Sequence, residues 1–115
     1  MLIPFAPSSR PYALQAVPVL ADTMEPTVRR GDFLLVAPVA DYAGAGINVL
    51  ADPFGALVPC RAQADHRGGV TLVSDNPAYG RQEVSLAEFR RQVAGKAALK
   101  ANVLDCSLLP GSLRV

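Results

Sequence analysis

Thr23 lies in the run Ala21-Asp22-Thr23-Met24-Glu25-Pro26-Thr27-Val28-Arg29-Arg30-Gly31-Asp32, a hydroxyl beside a carboxylate at the head of a proline-bearing turn. A threonine hydroxyl attacks a carbonyl when a neutral group takes its proton, although its methyl restricts χ1 and crowds the approach. Groups able to take that proton are few in this chain. His66 is its only histidine, and the Arg67-Gly68-Gly69 behind it reads as a solvent-facing turn. Lys96 and Lys100 alternate in phase, which predicts that both point to one face of a strand in structural or surface roles. Cys60 with His66 as base would make another nucleophilic pair, but a six-residue gap across an expected hairpin turn counts against it. Cys60 and Cys106 are the two cysteines, expected to stay reduced in a cytoplasmic protein. With no CxxC and no His/Cys cluster, neither a metal nor another cofactor is expected.

The elements that must hold these groups are short. Residues 1–16 carry Pro4, Pro7 and Pro11 around Ser8-Ser9 and read as an extended N-terminal arm. Residues 17–20 predict a strand, which Pro18 places at a sheet edge. One helical turn is expected from Met24, with Pro26 tolerated because a first-turn N–H has no partner to lose. Apolar residues 32–37 predict the next strand, stopped by Pro38. Beyond the Gly44-Ala45-Gly46 loop, residues 47–51 and 56–64 predict a hairpin closed by Asp52-Pro53-Phe54-Gly55, a tight-turn sequence. Residues 65–69 turn the chain again into Val70-Thr71-Leu72-Val73. Ser85, with Glu88 three residues on, predicts a capped helix through about Arg91. Residues 93–103 then predict a long last strand interrupted by Gly95. The pattern is a mostly-β domain over residues 17–105, six or seven short antiparallel strands with one short helix, and a C-terminal tail at 106–115.

Four segments in series resemble one family. The run 21–32 is similar to the nucleophile loop of the LexA-like repressor and mutagenesis-protein peptidases, which reads G-D-S-M-x-P-T-hydrophobic-x-x-G-D before an apolar strand. Here Phe33-Leu34-Leu35-Val36 follows. Gly46-Ile47-Asn48-Val49-Leu50 resembles the family's G-x-Y-V/A-L strand, and Leu72-Val73-Ser74-Asp75-Asn76-Pro77-Ala78-Tyr79 its L-x-S-D-N-P-x-Y turn. Gly95-Lys96-Ala97-Ala98 stands where the family has a G-R/K-V-hydrophobic strand. The resemblance covers residues 17–103 and implies a compact LexA-like peptidase fold. It also implies a serine nucleophile with a lysine general base, the amine kept neutral by desolvation.

Thr23 occupies the serine position of that pattern. Val58-Pro59-Cys60-Arg61 takes the place of the V-x-K-R strand, so Cys60 occupies the lysine position and Arg61 keeps the arginine after it. Asp22, Met24, Pro26, Arg61, Ser74, Asp75 and Asn76 are then expected to support loop and cleft. Met24 is expected to fill an apolar gap, Asp22 to cap the turn after it, and Ser74-Asp75-Asn76-Pro77 to form a rigid corner.

Both substitutions bear on activity. A thiol, only slightly ionised at neutral pH, is a poor proton acceptor, and burial makes it poorer. Losing a general base costs roughly 10²- to 10⁴-fold in rate. The implied function is a catalytically impaired self-cleavage domain, serving dimerisation or partner binding in SOS or prophage transcriptional regulation. The alternative is an active self-processing peptidase with Thr23 as nucleophile. Relatives of this type dimerise, in many cases through the C-terminal strand, and cleave their own linker when RecA filaments stabilise the cleavable state. A homodimer and a repressor-type protein or peptide partner are therefore implied. A formal charge of +1, from 11 Lys+Arg against 10 Asp+Glu, argues against direct nucleic-acid binding by this domain. Only 22 residues precede Thr23, so DNA binding is expected on another domain or chain. No apolar run approaches the roughly 20 residues of a membrane span, and the proline-broken start lacks a signal-peptide pattern. A cytoplasmic protein is expected.

Overall fold

The computed structural model describes residues 13–111. Within them the chain forms β1 (Gln15–Pro18), β2 (Phe33–Pro38), β3 (Gly46–Ala51), β4 (Leu57–Ala64), β5 (Val70–Val73), β6 (Arg81–Val84), α1 (Leu86–Gln92) and β7 (Val93–Ala101). A 3₁₀ turn at Cys106–Leu108 follows. The strands pair antiparallel in one sheet of order β1-β2-β7-β3-β4-β5-β6, the mostly-β architecture expected. Pro18 does lie on an edge strand. Gln15 and Ala16 belong to β1 rather than to the expected arm; its residues 1–12, like 112–115 of the tail, lie outside the described residues.

Turn chemistry sets the register of the central strands. The Asp52 carboxylate accepts the N–H groups of Phe54 and Ala56 at 2.8 and 2.9 Å, and Gly55 takes a φ of +84° that a side chain would disfavour. This closes β3 on β4. The Asp65 carboxylate repeats the device for Arg67 and Gly69, turning β4 into β5. β6 is the strand that sequence pattern does not announce. Its Arg-Gln-Glu-Val has three exposed residues at the outer edge and buries only Val84, so no alternation is visible.

Alternating side chains build a core on each face of the sheet. Leu34, Val36 and Val49 meet Val19, Met24 and Val28 on one face. Leu50, Cys60, Ala62, Val70, Leu72 and Val84 meet Phe89 of α1 on the other. Ser85 caps that helix by accepting the Glu88 N–H at 3.1 Å, as its spacing predicts. Phe89, fully buried, then packs edge-on against Tyr42 with ring centroids 5.9 Å apart.

β7 carries register shifts opposite Leu35/Val36 and Val49/Leu50. Lys100 therefore pairs with Leu34 but Lys96 with Ala37, three residues along β2 and so on the opposite face. The expectation that the two lysines share a face fails, because period-two alternation does not carry through a bulge.

Candidate active site

The loop carrying Thr23 is pinned at its base by Val19, whose N–H meets the Asp32 carbonyl at 2.9 Å and whose carbonyl accepts from Gly31 at 3.1 Å. Met24 and Val28, 0% and 1% exposed, drive its apolar side into the core, so Met24 fills the gap expected of it. Val28 N–H bonds the Met24 carbonyl at 2.9 Å, closing a single turn. Pro26 sits exposed inside that turn, after a cis Glu25–Pro26 peptide.

The Thr23 hydroxyl donates to the Pro59 carbonyl at 2.9 Å. Pro59 pairs with Val49 of β3, but β5 reaches β4 only from Arg61 opposite Val73, so on that side the Pro59 carbonyl is available to the loop. Proline fits there because its nitrogen faces the same unpaired side, where no N–H is needed. The side chain of Cys60, one residue on, turns to the face of Leu50, Ala62 and Phe89. It opens on a cleft of about 170 Å³ that Leu50, Val58, Leu72, Ser74 and Gln82 also line. Burial pushes its thiol up to about 11. No hydrogen bond joins Thr23 to Cys60 among the described residues.

Other bases are engaged elsewhere. The Lys96 ammonium donates to the Ala43 carbonyl at 2.9 Å, and the backbone at Gly44 and Gly46 wraps its stem, where added Cβ atoms would come within 3.3 and 3.1 Å of it. Lys100 donates to the Thr27 carbonyl at 3.0 Å. His66 is exposed on its turn, as expected.

Of the expected supporting residues beyond the loop, Asp75 and Asn76 reach it, with Arg61 behind Asp75, and with Thr27 and Tyr79 as partners that the sequence did not single out. Asp75 accepts from both Nε and Nη2 of Arg61, at 2.6 and 3.0 Å, and from the Thr27 hydroxyl at 2.5 Å. The Arg61 guanidinium holds the Asp75 carboxyl below its ordinary range; burial opposes it, and the Thr27 hydroxyl adds a smaller lowering. Asn76 donates its main-chain N–H to the Thr23 carbonyl at 3.0 Å and its side-chain amide to the Asp22 carbonyl at 2.9 Å. Ser74 lies in the cleft wall. Asp22 is not the side-chain cap expected. Its main-chain carbonyl takes the Glu25 N–H at 3.2 Å, while its carboxylate accepts the Tyr79 hydroxyl at 2.5 Å and faces Arg30 at 3.5 Å. The Tyr79 bond chiefly, with Arg30 adding, lowers the Asp22 carboxyl. Thr27 and Tyr79 lay in the same matching segments, which was the signal available for them. Asn48 gave none. It is fully buried, pairs with Cys60 on one side and Lys96 on the other, bonds the Gly46 carbonyl at 3.1 Å, and leaves its Oδ1 without a partner.

A family model described as Peptidase S24-like matches residues 3–98, most of the chain. The chain belongs to that family. The match takes in the Thr23 loop, Cys60 and Arg61 on β4, the turn at 74–79 and the first half of β7, so the Peptidase S24-like fold and the site described above share one stretch of sequence. No curated protein is similar enough to this Peptidase S24-like chain to count as a relative. No described helix is long and apolar enough to cross a membrane.

Proposed function

We propose that this Peptidase S24-like domain is a catalytically silent relative of self-cleaving regulators, acting by binding a second copy of itself or a repressor-type protein partner. One observation carries the reading: the Thr23 hydroxyl gives its hydrogen bond to the Pro59 carbonyl. A peptide carbonyl accepts such a bond but does not remove the proton, so the hydroxyl is fastened rather than activated. The thiol at the base position adds to this, since a group titrating at about 11 is protonated at neutral pH and offers no lone-pair base of amine strength. Absence of a general base accounts for roughly 10²- to 10⁴-fold of lost rate.

What remains is a β-built groove with a loop fixed over one end. Grooves of this kind hold extended segments through main-chain pairing. Leu99, Leu104 and Leu108 stand exposed along the C-terminal part of the chain and favour self-association there. We place the domain in cytoplasmic transcriptional regulation of the SOS or prophage type, with DNA binding carried by another domain or chain, in keeping with a formal charge of +1.

Restoration tests the reading. Wild type and a Thr23→Ser, Cys60→Lys double variant are incubated with a linker peptide supplied in trans and followed by intact mass. The wild type leaves itself and the peptide whole, and the double variant cleaves. Cleavage by wild type that disappears in Thr23→Ala would overturn the reading in favour of self-processing through Thr23.

A further inference from the structure

Residue 23 makes few bonds of its own. Its hydroxyl reaches Pro59, and its carbonyl accepts from Asn76; no strand pairing runs through the loop. Met24 and Val28 root the loop in the core, while Asp22, Thr23 and Thr27 are each bonded from turn 74–79. We propose that this turn is a clamp that positions the hydroxyl at residue 23 against β4, with Asp75 and Asn76 as its positioning residues. The proposal stands apart from the question of catalysis: the clamp acts whether the hydroxyl is inert or reactive.

The contacts are reciprocal. A carboxylate of the loop, Asp22, takes the hydroxyl of a turn residue, Tyr79, while a carboxylate of the turn, Asp75, takes the hydroxyl of a loop residue, Thr27. Asp75 also accepts the two-pronged guanidinium of Arg61, a geometry that fixes the planes of both groups. Arg61 lies on β4 two residues beyond Pro59, the acceptor of the Thr23 hydroxyl. Loop, turn and strand are thereby closed into one circuit that passes through Asp75. The charged and titratable groups facing it are Arg61 around Asp75, and Tyr79 and Arg30 around Asp22, with Glu25 beside Tyr79.

Asn76 separates a clamp from a simple corner. Its Oδ1 accepts the Ala78 N–H at 2.9 Å within the turn, while its Nδ2 leaves the turn to reach the Asp22 carbonyl at 2.9 Å. A carboxylate would keep the first bond and lose the second, since it has no donor. Asn76→Asp therefore preserves the corner and removes one of the clamp's ties to the loop.

Hydrogen exchange on the full chain reads the difference. Asn76→Asp and Asp75→Asn should each speed exchange across residues 22–28, where the Glu25 and Val28 amides report, by about tenfold or more. Amides of β3 and β7 should keep wild-type protection. Tyr79→Phe removes one hydroxyl, leaves the turn's own bonds in place, and should speed the same loop alone, so the question stays open to test if a charged variant does not fold. Adding Arg61→Gln to Asp75→Asn should add nothing to the loop effect of Asp75→Asn alone, since Arg61 reaches the loop through Asp75. Loop exchange that stays at the wild-type rate in Asn76→Asp or in Tyr79→Phe would overturn the clamp. So would a rise spread evenly over the sheet, which would make the turn a general stability element.

Discussion

At Cys60 burial acts against ionisation: at 8% exposure a thiolate gives up water, and no cation stands beside it among the described residues. The sign of the consequence follows. Because the folded thiol titrates at about 11, above its ordinary value of 9.0, its contribution to stability is fully present below 9.0 and is lost as pH rises through about 11. Two pKa units correspond to about 3 kcal/mol. Urea unfolding of wild type and Cys60→Ala at pH 8 and pH 11 isolates the effect, since every other titrating group is common to both proteins. The wild type should lose about 2 kcal/mol relative to the variant over that interval, because about half of the folded thiols are still protonated at pH 11, and an unchanged difference would mean that the thiol ionises freely. Much at this scale was legible. The family motifs located Thr23, Cys60, Asp75 and Asn76 by position alone, and the chemistry of a thiol in an apolar strand gave the direction of its shift. Asn48 was not legible, because one amide inside Gly-Ile-Asn-Val-Leu carries no mark of whether it faces water, a partner or, as here, neither for its Oδ1.

Among the elements, β7 depends on a residue with no side chain. A Cβ at Gly95 would lie 2.3 Å from Val36 Cγ1 and 2.8 Å from the Ala37 carbonyl oxygen, both well inside contact distance. Val36 packs over Gly95 in the core beneath the Thr23 loop, so the strand could not move away without disturbing β2. Gly95→Ala should cost about 1–3 kcal/mol in urea unfolding, the range for overpacking a filled core. Adding Val36→Ala should recover only part of that, because the Ala37 carbonyl still blocks the site. Full recovery would show that the clash is with the side chain alone. The sequence suggested an interruption at Gly95, but β7 runs unbroken through it, and the bulges on either side were not visible. A bulge is decided by how three strands fit together, and it reversed the facing of Lys96 relative to Lys100. The turns after β3 and β4 were legible because Asp and Gly encode them locally; β6 was hidden because an exposed edge strand has no alternating pattern to display.

For the molecule as a whole, apolar surface is uneven. Leu104 and Leu108 are 100% and 81% exposed just past β7, the first before and the second at the end of a 3₁₀ turn that Asp105 caps through the Ser107 N–H and hydroxyl at 3.0 and 2.6 Å. The cap holds this part of the chain in a defined shape, and a side chain already ordered loses less entropy on binding than one on a loose tail. Net charge near zero offers little long-range repulsion between copies. If this region joins two copies, Leu104→Asp with Leu108→Asp should raise the dimer dissociation constant by about tenfold or more in sedimentation velocity, the loss expected when anchors of this size are replaced by charges. Unfolding by urea should be unaffected, since neither leucine belongs to a core cluster. Phe54 supplies the control. It is 94% exposed in the β3–β4 turn, at the opposite end of the sheet, and Phe54→Asp should leave association as it is in wild type. A wild type that sediments as a monomer at all concentrations, or equal weakening by the Phe54 and leucine changes, would remove the C-terminal region as the site of pairing and return the search to the cleft beside Cys60.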